Sequence, residues 1–498
     1  MQARVLVIAL VSLSPVLLFF SLTRPGFPQE VDGKTNVASG EIKHFPIQAL
    51  SKANTAFSRE INQTAILNVF VADLPSEFNY GLLHEYWKFE RSRTTNKISE
   101  DNDSGSSNPR VEISSGRFST STVEIPPYPQ NPLIKQYSAE YWLLGDLMTP
   151  EKEKRNSLVR RVWNSSLADV VFVPFFATLS AELQLHQAKG KFRHTKGNAD
   201  YSRQVRVLEI VKNSTEWKRS HGRDHVFVLT DPVAMWHVRP EIAPAVLLTV
   251  DFGGWYMEDA KEMQKHAGSL DVIAHRQVSL LKDVIVPYTH LLPPLHLSED
   301  RQRSILLYFK GARHRHRTGL VRDKLWSVLK DEPGVVFEEG FPNATGRDQA
   351  LRGMRNSEFC LHPAGDTPTS CRLFDAVMSL CVPVIVSDSI ELPFEGILDY
   401  TEFSVFVAVH KALQPKFLIE LLEGISFEQR QLMRLQLASV QHFFEYDNGY
   451  PGGIGPVKGA VDAIWTKVSH KVPAIKEALT RERRKPSDVL IPARCQCL

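Results

Sequence analysis

The feature that most constrains this chain is a repeated alternation of short apolar runs with helical patterns. The runs fall at 66–71, 169–175, 225–229, 245–250, 284–286, 304–309, 335–338, 358–361 and 382–386. A half-exposed strand alternates polar and apolar residues. An unbroken apolar run is buried on both faces, as in a parallel sheet covered by helices. Helical patterns at 138–148, 318–329, 370–380 and 416–422 lie between the runs. The expected class is therefore α/β. A Pro-rich, aperiodic stretch at 287–300 predicts a domain boundary, and 498 residues with 43% hydrophobic content suffice for two cores.

The N-terminus reads differently. Residues 5–22 are almost wholly apolar between Arg4 and Arg24, about the length of a short transmembrane helix. No small-x-small cleavage site follows, so the run reads as a signal anchor rather than a cleaved leader. Its shortness suits thin early-secretory membranes. Residues 23–62 read as a luminal stem and 91–122 as a mobile surface insertion. The sequons at Asn62, Asn102, Asn164, Asn213 and Asn343 fit a luminal fate. Cys360, Cys371 and Cys381 read as buried small side chains or as partners in one or two bridges. Cys495 and Cys497 form a C-x-C tail that lacks the second pair a zinc site needs. Lys+Arg 59 against Asp+Glu 56 gives no basic excess, which argues against a nucleic-acid partner.

Ligands of parallel α/β sheets bind beyond the carboxyl ends of the strands. Three such loops converge in the C-terminal half. The run at 304–309 leads into Lys310-Gly311-Ala312-Arg313-His314-Arg315-His316-Arg317. The run at 358–361 leads into His362-Pro363-Ala364-Gly365-Asp366, then Ser370 and a helix with Arg372 in its first turn. The run at 382–386 leads into Asp388 and Glu391. A helix N-terminus binds anions, whereas a cation in the first turn opposes the helix dipole. A phosphate partner would explain Arg372. Cations for a diphosphate and carboxylates for sugar hydroxyls meet the needs of a nucleotide-sugar. No G-x-G-x-x-G or P-loop is present. On the N-terminal side, Asp231, and less so His237, are candidates for a catalytic base. Asp73 and Asp251 also follow strand runs. Tyr137, Glu140 and Tyr141 are candidates to line an acceptor groove.

The segment FCLHPAGDTPTSCRLFDAVMSLCVPVIVSDSIELPFEGILDY resembles the exostosin domain of glycosyltransferase family 47. YPQNPLIKQYSAEYWL, ADVVFVPFF, GRDHVFVLTDP, KDVIVPY and LLYFKGARHR extend the resemblance over roughly 66–470. The wording AGDTP-x-x-CRLFD and the terminal C-x-C are most similar to plant arabinan arabinosyltransferases. The resemblance implies a GT-B fold of two facing Rossmann-like domains, with 63–297 on the acceptor side and 298–480 binding donor, then a basic tail at 481–498. It implies donor contacts at Lys310, Gly311, Arg313, Arg372 and Glu391, with the HPAGD loop following. It also implies inverting transfer from a UDP-sugar without a cofactor or bound metal. The expected protein is a single-pass type II Golgi enzyme, with residues 1–4 cytosolic. It adds a sugar, arabinose first, to a polysaccharide such as pectic arabinan, alone or in homo- or hetero-oligomers. Galactosyl, xylosyl or glucuronosyl transfer and a non-catalytic Golgi partner are the alternatives.

Overall fold

Two parallel sheets organise the chain. The structure, a computed structural model, describes residues 66–100, 118–120, 123–152, 157–252, 278–315, 319–340, 343–446 and 459–484. All of these lie in one compact unit, Ile47–Leu498. The expected anchor at 5–22, the stem, Asn62, Asn102, the C-x-C tail and most of the insertion lie outside the described residues. Among the described residues no helix is long and apolar enough to cross a membrane.

The strands, in chain order, are β1 (Leu67–Val71), the hairpin pair β2 (Phe118–Thr120) and β3 (Val123–Ile125), β4 (Val159–Val162), β5 (Val170–Phe172), β6 (His225–Leu229), β7 (Val246–Thr249), β8 (Val284–Ile285), β9 (Ile305–Lys310), β10 (Val335–Glu338), β11 (Ser357–Pro363), β12 (Val382–Val386) and β13 (Val405–Val407). The first sheet has the order β4-β1-β5-β6-β7-β8, and the second β10-β9-β11-β12-β13. Every pairing within them is parallel. In each sheet the first strand lies between the second and the third. That reversal of winding opens a crevice at the carboxyl ends, between β1 and β5 and between β9 and β11.

The helices that matter below are α1 (Tyr80–Glu100), α2 (Ala139–Met148), α3 (Ala177–Ala188), α4 (Ala199–Asn213), α5 (Leu320–Leu329), α6 (Ala344–Arg355), α7 (Cys371–Met378), α8 (Phe427–Val440), α9 (Ala460–Ser469) and α10 (Val472–Arg483). In inner strands such as β6, β11 and β12 every residue is buried. The edge strands escape that rule. β4 reads Val-Arg-Arg-Val, so it did not stand out as an apolar run, and β13 is a three-residue Val-Phe-Val strand, too short to stand out. Pro174 follows β5 and lacks the N–H that would extend the ladder, so the expected strand at 169–175 shortens to three residues.

Two domain expectations need correction. Helix α1 runs to Glu100, so the first third of the expected insertion is helical. The C-terminal helices α9 and α10 do not stay with the second sheet. Trp465, fully buried, stacks edge-on to Phe172 of β5 at 5.9 Å between ring centroids. Lys476 reaches Asp169 at 2.7 Å, and Arg223 reaches Glu482 at 3.4 Å. The chain therefore returns to the first sheet after about residue 459, and a C-terminal domain ending at 480 is too long. An apolar helix face carries no record of which sheet it covers. Cys360 and Cys381 form a disulfide that ties β11 to the residue before β12, while Cys371 is a free thiol.

Candidate active site

The crevice between β9 and β11 is where the sequence-derived loops meet. Strand alternation decides which side chain of β9 enters it. Successive residues point to opposite faces, and Phe309 is the one that faces α5 and α7. Two guanidinium groups lie against its ring, with Arg372 Cζ at 5.6 Å and Arg322 Cζ at 5.7 Å from the centroid. Lys310 must then face the other way. Its ammonium binds Gln349 of α6 at 2.8 Å and Glu338 at 3.3 Å. Only its backbone belongs to the crevice, where Lys310 O accepts a short hydrogen bond from Arg372 Nε.

Neither central arginine has a carboxylate within ion-pair distance among the described residues. Arg372 is half-buried, and its Nη1 donates to Ser370 Oγ at 3.2 Å. Arg322 is 2% exposed. Its Nε donates to Ala364 O at 2.9 Å and its Nη1 to Ala312 O at 3.4 Å. Burial, and then the Arg372 and Arg315 charges, hold the Arg322 pKa well below its usual value. Burial likewise lowers that of Arg372. Both glycines of the predicted site make room for these groups. A Cβ at Gly311 would stand 2.7 Å from Arg372 Nε, and one at Gly365 would stand 2.7 Å from Arg322 Nη2. Gly365 thus admits a guanidinium, where the sequence suggested a ligand.

The surrounding loop is polar and incompletely satisfied. Arg315 Nη1 bonds Asp366 Oδ2 at 2.8 Å, tying the loop after β9 to the loop after β11. Asp366 Oδ1, Arg315 Nε, Thr369 Oγ1 and both ring nitrogens of His362 are buried without a protein partner. Such groups are rare in native proteins, and each calls for a partner such as a ligand, an ion or a water. His362 is 2% exposed. Burial, then the Arg372 and Arg322 charges, push its pKa down to about 3, so the ring is neutral. Ser370 occupies the N-cap position of α7 but does not cap it. Its hydroxyl serves Arg372, so the first-turn N–H groups have no side-chain cap.

Other predicted residues lie elsewhere. Arg313 turns away to Asp323 at 2.6 Å and over Trp326. Asp388 is exposed and accepts from Val409 N at 2.8 Å, so it caps a short helix. Glu391 faces Glu395. Burial, and then that like charge, raise its pKa. Asp231 accepts from Val233 N at 2.8 Å and is hydrogen-bonded to Glu182. Burial raises the pKa of both carboxyls. His237 Nε2 bonds Phe192 O at 2.9 Å and Asn198 Nδ2 at 3.2 Å, a packing role rather than a catalytic one. Glu140 accepts from Thr178 N and Leu179 N at 3.0 Å each. It therefore caps α3 instead of facing a groove.

Asp251, at the exit of β7, is the carboxylate of the first sheet that touches the second. Its Oδ2 accepts from Thr369 N at 3.4 Å. Tyr288 OH lies 3.4 Å from Thr367 Oγ1, and its ring is 5.5 Å from that of Tyr137. Arg322 and Tyr288 had no place in the sequence-derived site. Arg322 shares a helix face with Leu325 and Leu329, at i, i+3 and i+7. An arginine on an apolar stripe was the signal available. Among the described residues no three His, Cys, Asp or Glu side chains are grouped to hold a metal ion.

The family profile of the Exostosin GT47 domain matches residues 63–422. A probable arabinosyltransferase, ARAD1, of Arabidopsis thaliana is 35% identical over 87% of this chain and 84% of its own length. A probable glucuronosyltransferase, GUT1, of Oryza sativa subsp. japonica is 25% identical over 59% of this chain and 68% of its own. A probable xyloglucan galactosyltransferase, GT13, of Arabidopsis thaliana is 25% identical over 59% of this chain and 62% of its own.

Proposed function

The chain belongs to the exostosin GT47 family, and from that premise we propose that it transfers arabinose from a UDP-sugar to a cell-wall polysaccharide such as pectic arabinan. The observation that carries the donor assignment is the pair of guanidinium groups at the β9–β11 crevice without a carboxylate. A buried cation needs a counter-charge, and a diphosphate would supply one in bidentate form. The uncapped start of α7 adds backbone donors to the same anion. Arg372 and Arg322 would carry the charge that a divalent cation carries elsewhere, so the reaction proceeds without a metal. Arabinose is the first choice because a relative 35% identical over 87% of the chain is named a probable arabinosyltransferase. Relatives named for glucuronosyl and galactosyl transfer make those donors the second reading.

Inverting transfer requires an acceptor hydroxyl to attack the anomeric carbon opposite the departing diphosphate. The C–O bond to the diphosphate breaks as the new glycosidic bond forms, and a base takes the hydroxyl proton. We place that base at Asp251, which meets the donor loop, rather than at Asp231, whose carboxyl is taken up by Val233 N and Glu182. The diphosphate gains charge as it leaves, and the two arginines stabilise it. The exposed sequons at Asn164, Asn213 and Asn343 support a luminal protein. The Cys360–Cys381 bridge supports an oxidising compartment. A Golgi, type II arrangement anchored through 5–22 accommodates both.

The test is a panel of UDP-sugars offered with an arabinan oligosaccharide. Transfer of arabinose, lost in Asp251→Asn while UDP binding persists, is the expected result. Selective transfer of another sugar would replace the donor. UDP binding without turnover of any donor would favour the non-catalytic partner.

A further inference from the structure

Between α3 and α4 the chain reads Lys189-Gly190-Lys191-Phe192-Arg193-His194-Thr195-Lys196-Gly197, with no Asp or Glu from Gln187 to Ala199. Lys189, Lys191, Arg193, His194 and Lys196 are all exposed. A basic run is most often a solvated face, and three observations set this one apart.

The loop is held in one shape. Phe192 N donates to Lys189 O at 3.1 Å, and His194 N to Lys191 O at 3.0 Å. Asn198 Nδ2 donates to Phe192 O and His194 O at 2.7 and 3.0 Å, and His237 Nε2 adds a third bond to the loop at 2.9 Å. Phe192 is 4% exposed and packs on Ala181 and Val233. The cations are therefore preorganised, which lowers the cost of binding.

The loop is also placed at the carboxyl edge. Val233 and His237 lie just beyond the exit of β6. The neighbouring strand, β7, ends at Asp251 against the donor loop. Trp236 offers a half-buried ring beside the loop, with Arg193 Cζ 5.8 Å from its centroid.

The charge is uncompensated. On the adjoining helix α4, Arg203 pairs with Glu85, Arg206 with Glu77 and Lys212 with Glu241. Lys189, Lys191 and Lys196 have no carboxylate within ion-pair distance among the described residues.

We propose that this loop binds the carboxylates of an acidic, uronate-containing glycan chain and so delivers an acidic polysaccharide acceptor to the cleft. The proposal rests on the glycosyltransferase reading for its consequence, but the binding surface can be measured without turnover. A rigid array of cations over about eight residues matches a repeating chain of carboxylates, and the aromatic ring offers a surface for a sugar face.

The experiment measures binding of the full-length protein to an oligogalacturonide, to its carboxyl-reduced form and to dextran sulfate. Each is tested at low and at high salt. The variants are Lys189→Gln/Lys191→Gln/Lys196→Gln and, as a control for loss of surface lysines elsewhere, Lys324→Gln/Lys330→Gln. UDP binding and the melting temperature report folding and the donor site independently. Each exposed ion pair is worth roughly a 1.4- to 5-fold factor, so the triple variant is expected to lose about tenfold in affinity for the oligogalacturonide. It keeps UDP binding, and the control keeps both. The wild-type preference over the carboxyl-reduced form is expected to shrink with salt. Equal binding of the acidic and reduced forms would overturn the proposal. So would tighter binding of dextran sulfate that both variants weaken alike, which would mean simple polyanion adsorption. Loss of UDP binding in wild type with uronate binding intact would sink the donor reading and leave this surface standing.

Discussion

At the scale of single residues, the site is an arrangement of charges that the protein does not neutralise itself. Arg322 and Arg372 both lie against the Phe309 ring, and two glycines make the close approaches possible. Gly311→Ala places a methyl group against Arg372. We expect it to lower transfer strongly while shifting stability by only about 1–3 kcal/mol, the usual cost of a local overpacking. Parallel assays of transfer and of urea unfolding check this. His362 gives a pH prediction. The folded chain keeps it neutral down to about pH 3, whereas an unfolded chain protonates it near pH 6.5. Between those values the unfolded state binds more protons, so stability falls as pH drops through that window. In His362→Gln the loss of stability between pH 6.5 and 5.0 should be smaller by roughly 1.5 kcal/mol. Urea midpoints at the two pH values measure it, and identical losses in both proteins would refute the assignment. Asp231 and Asp388 show where residue reading fails. Each is a polar residue just past a strand end, and strand ends need caps and turns as often as they need catalysts.

At the scale of elements, the crevice is fixed by topology. β9 lies between β10 and β11, so the loops after β9 and β11 diverge and leave room for a ligand. The Cys360–Cys381 bridge closes a 21-residue segment that contains the entire loop after β11 and helix α7. Its removal in Cys360→Ala/Cys381→Ala should cost about 2–4 kcal/mol of stability, read as a lower melting temperature under non-reducing conditions. The sequence displayed the inner strands because an apolar run needs no partner to be recognised. It hid β4, since an edge strand is free to carry arginines, and β13, since three residues are too few to stand out. It also hid Arg322. Periodicity placed the helix, but only the sheet decides which stripe of that helix meets the site.

At the scale of the whole molecule, the two sheets meet through Asp251 with Thr369 and Tyr288 with Thr367. The chain then returns across the first sheet in α9 and α10. That return was not legible, because helix amphipathicity reports a buried face and not its partner. Trp465 anchors it with full burial against β5. Trp465→Ala should destabilise the protein by about 3–5 kcal/mol, detectable as a shifted urea transition. The central claim is that Arg372 and Arg322 wait for a diphosphate. Titration calorimetry of UDP against wild type, Arg372→Ala and Lys324→Gln tests it most directly. Hydrogen bonds from a charged donor are worth about 1.5–3 kcal/mol. Arg372→Ala should therefore weaken UDP by roughly ten- to a hundredfold, while Lys324→Gln binds as wild type does. Equal UDP affinity in wild type and Arg372→Ala would contradict the account.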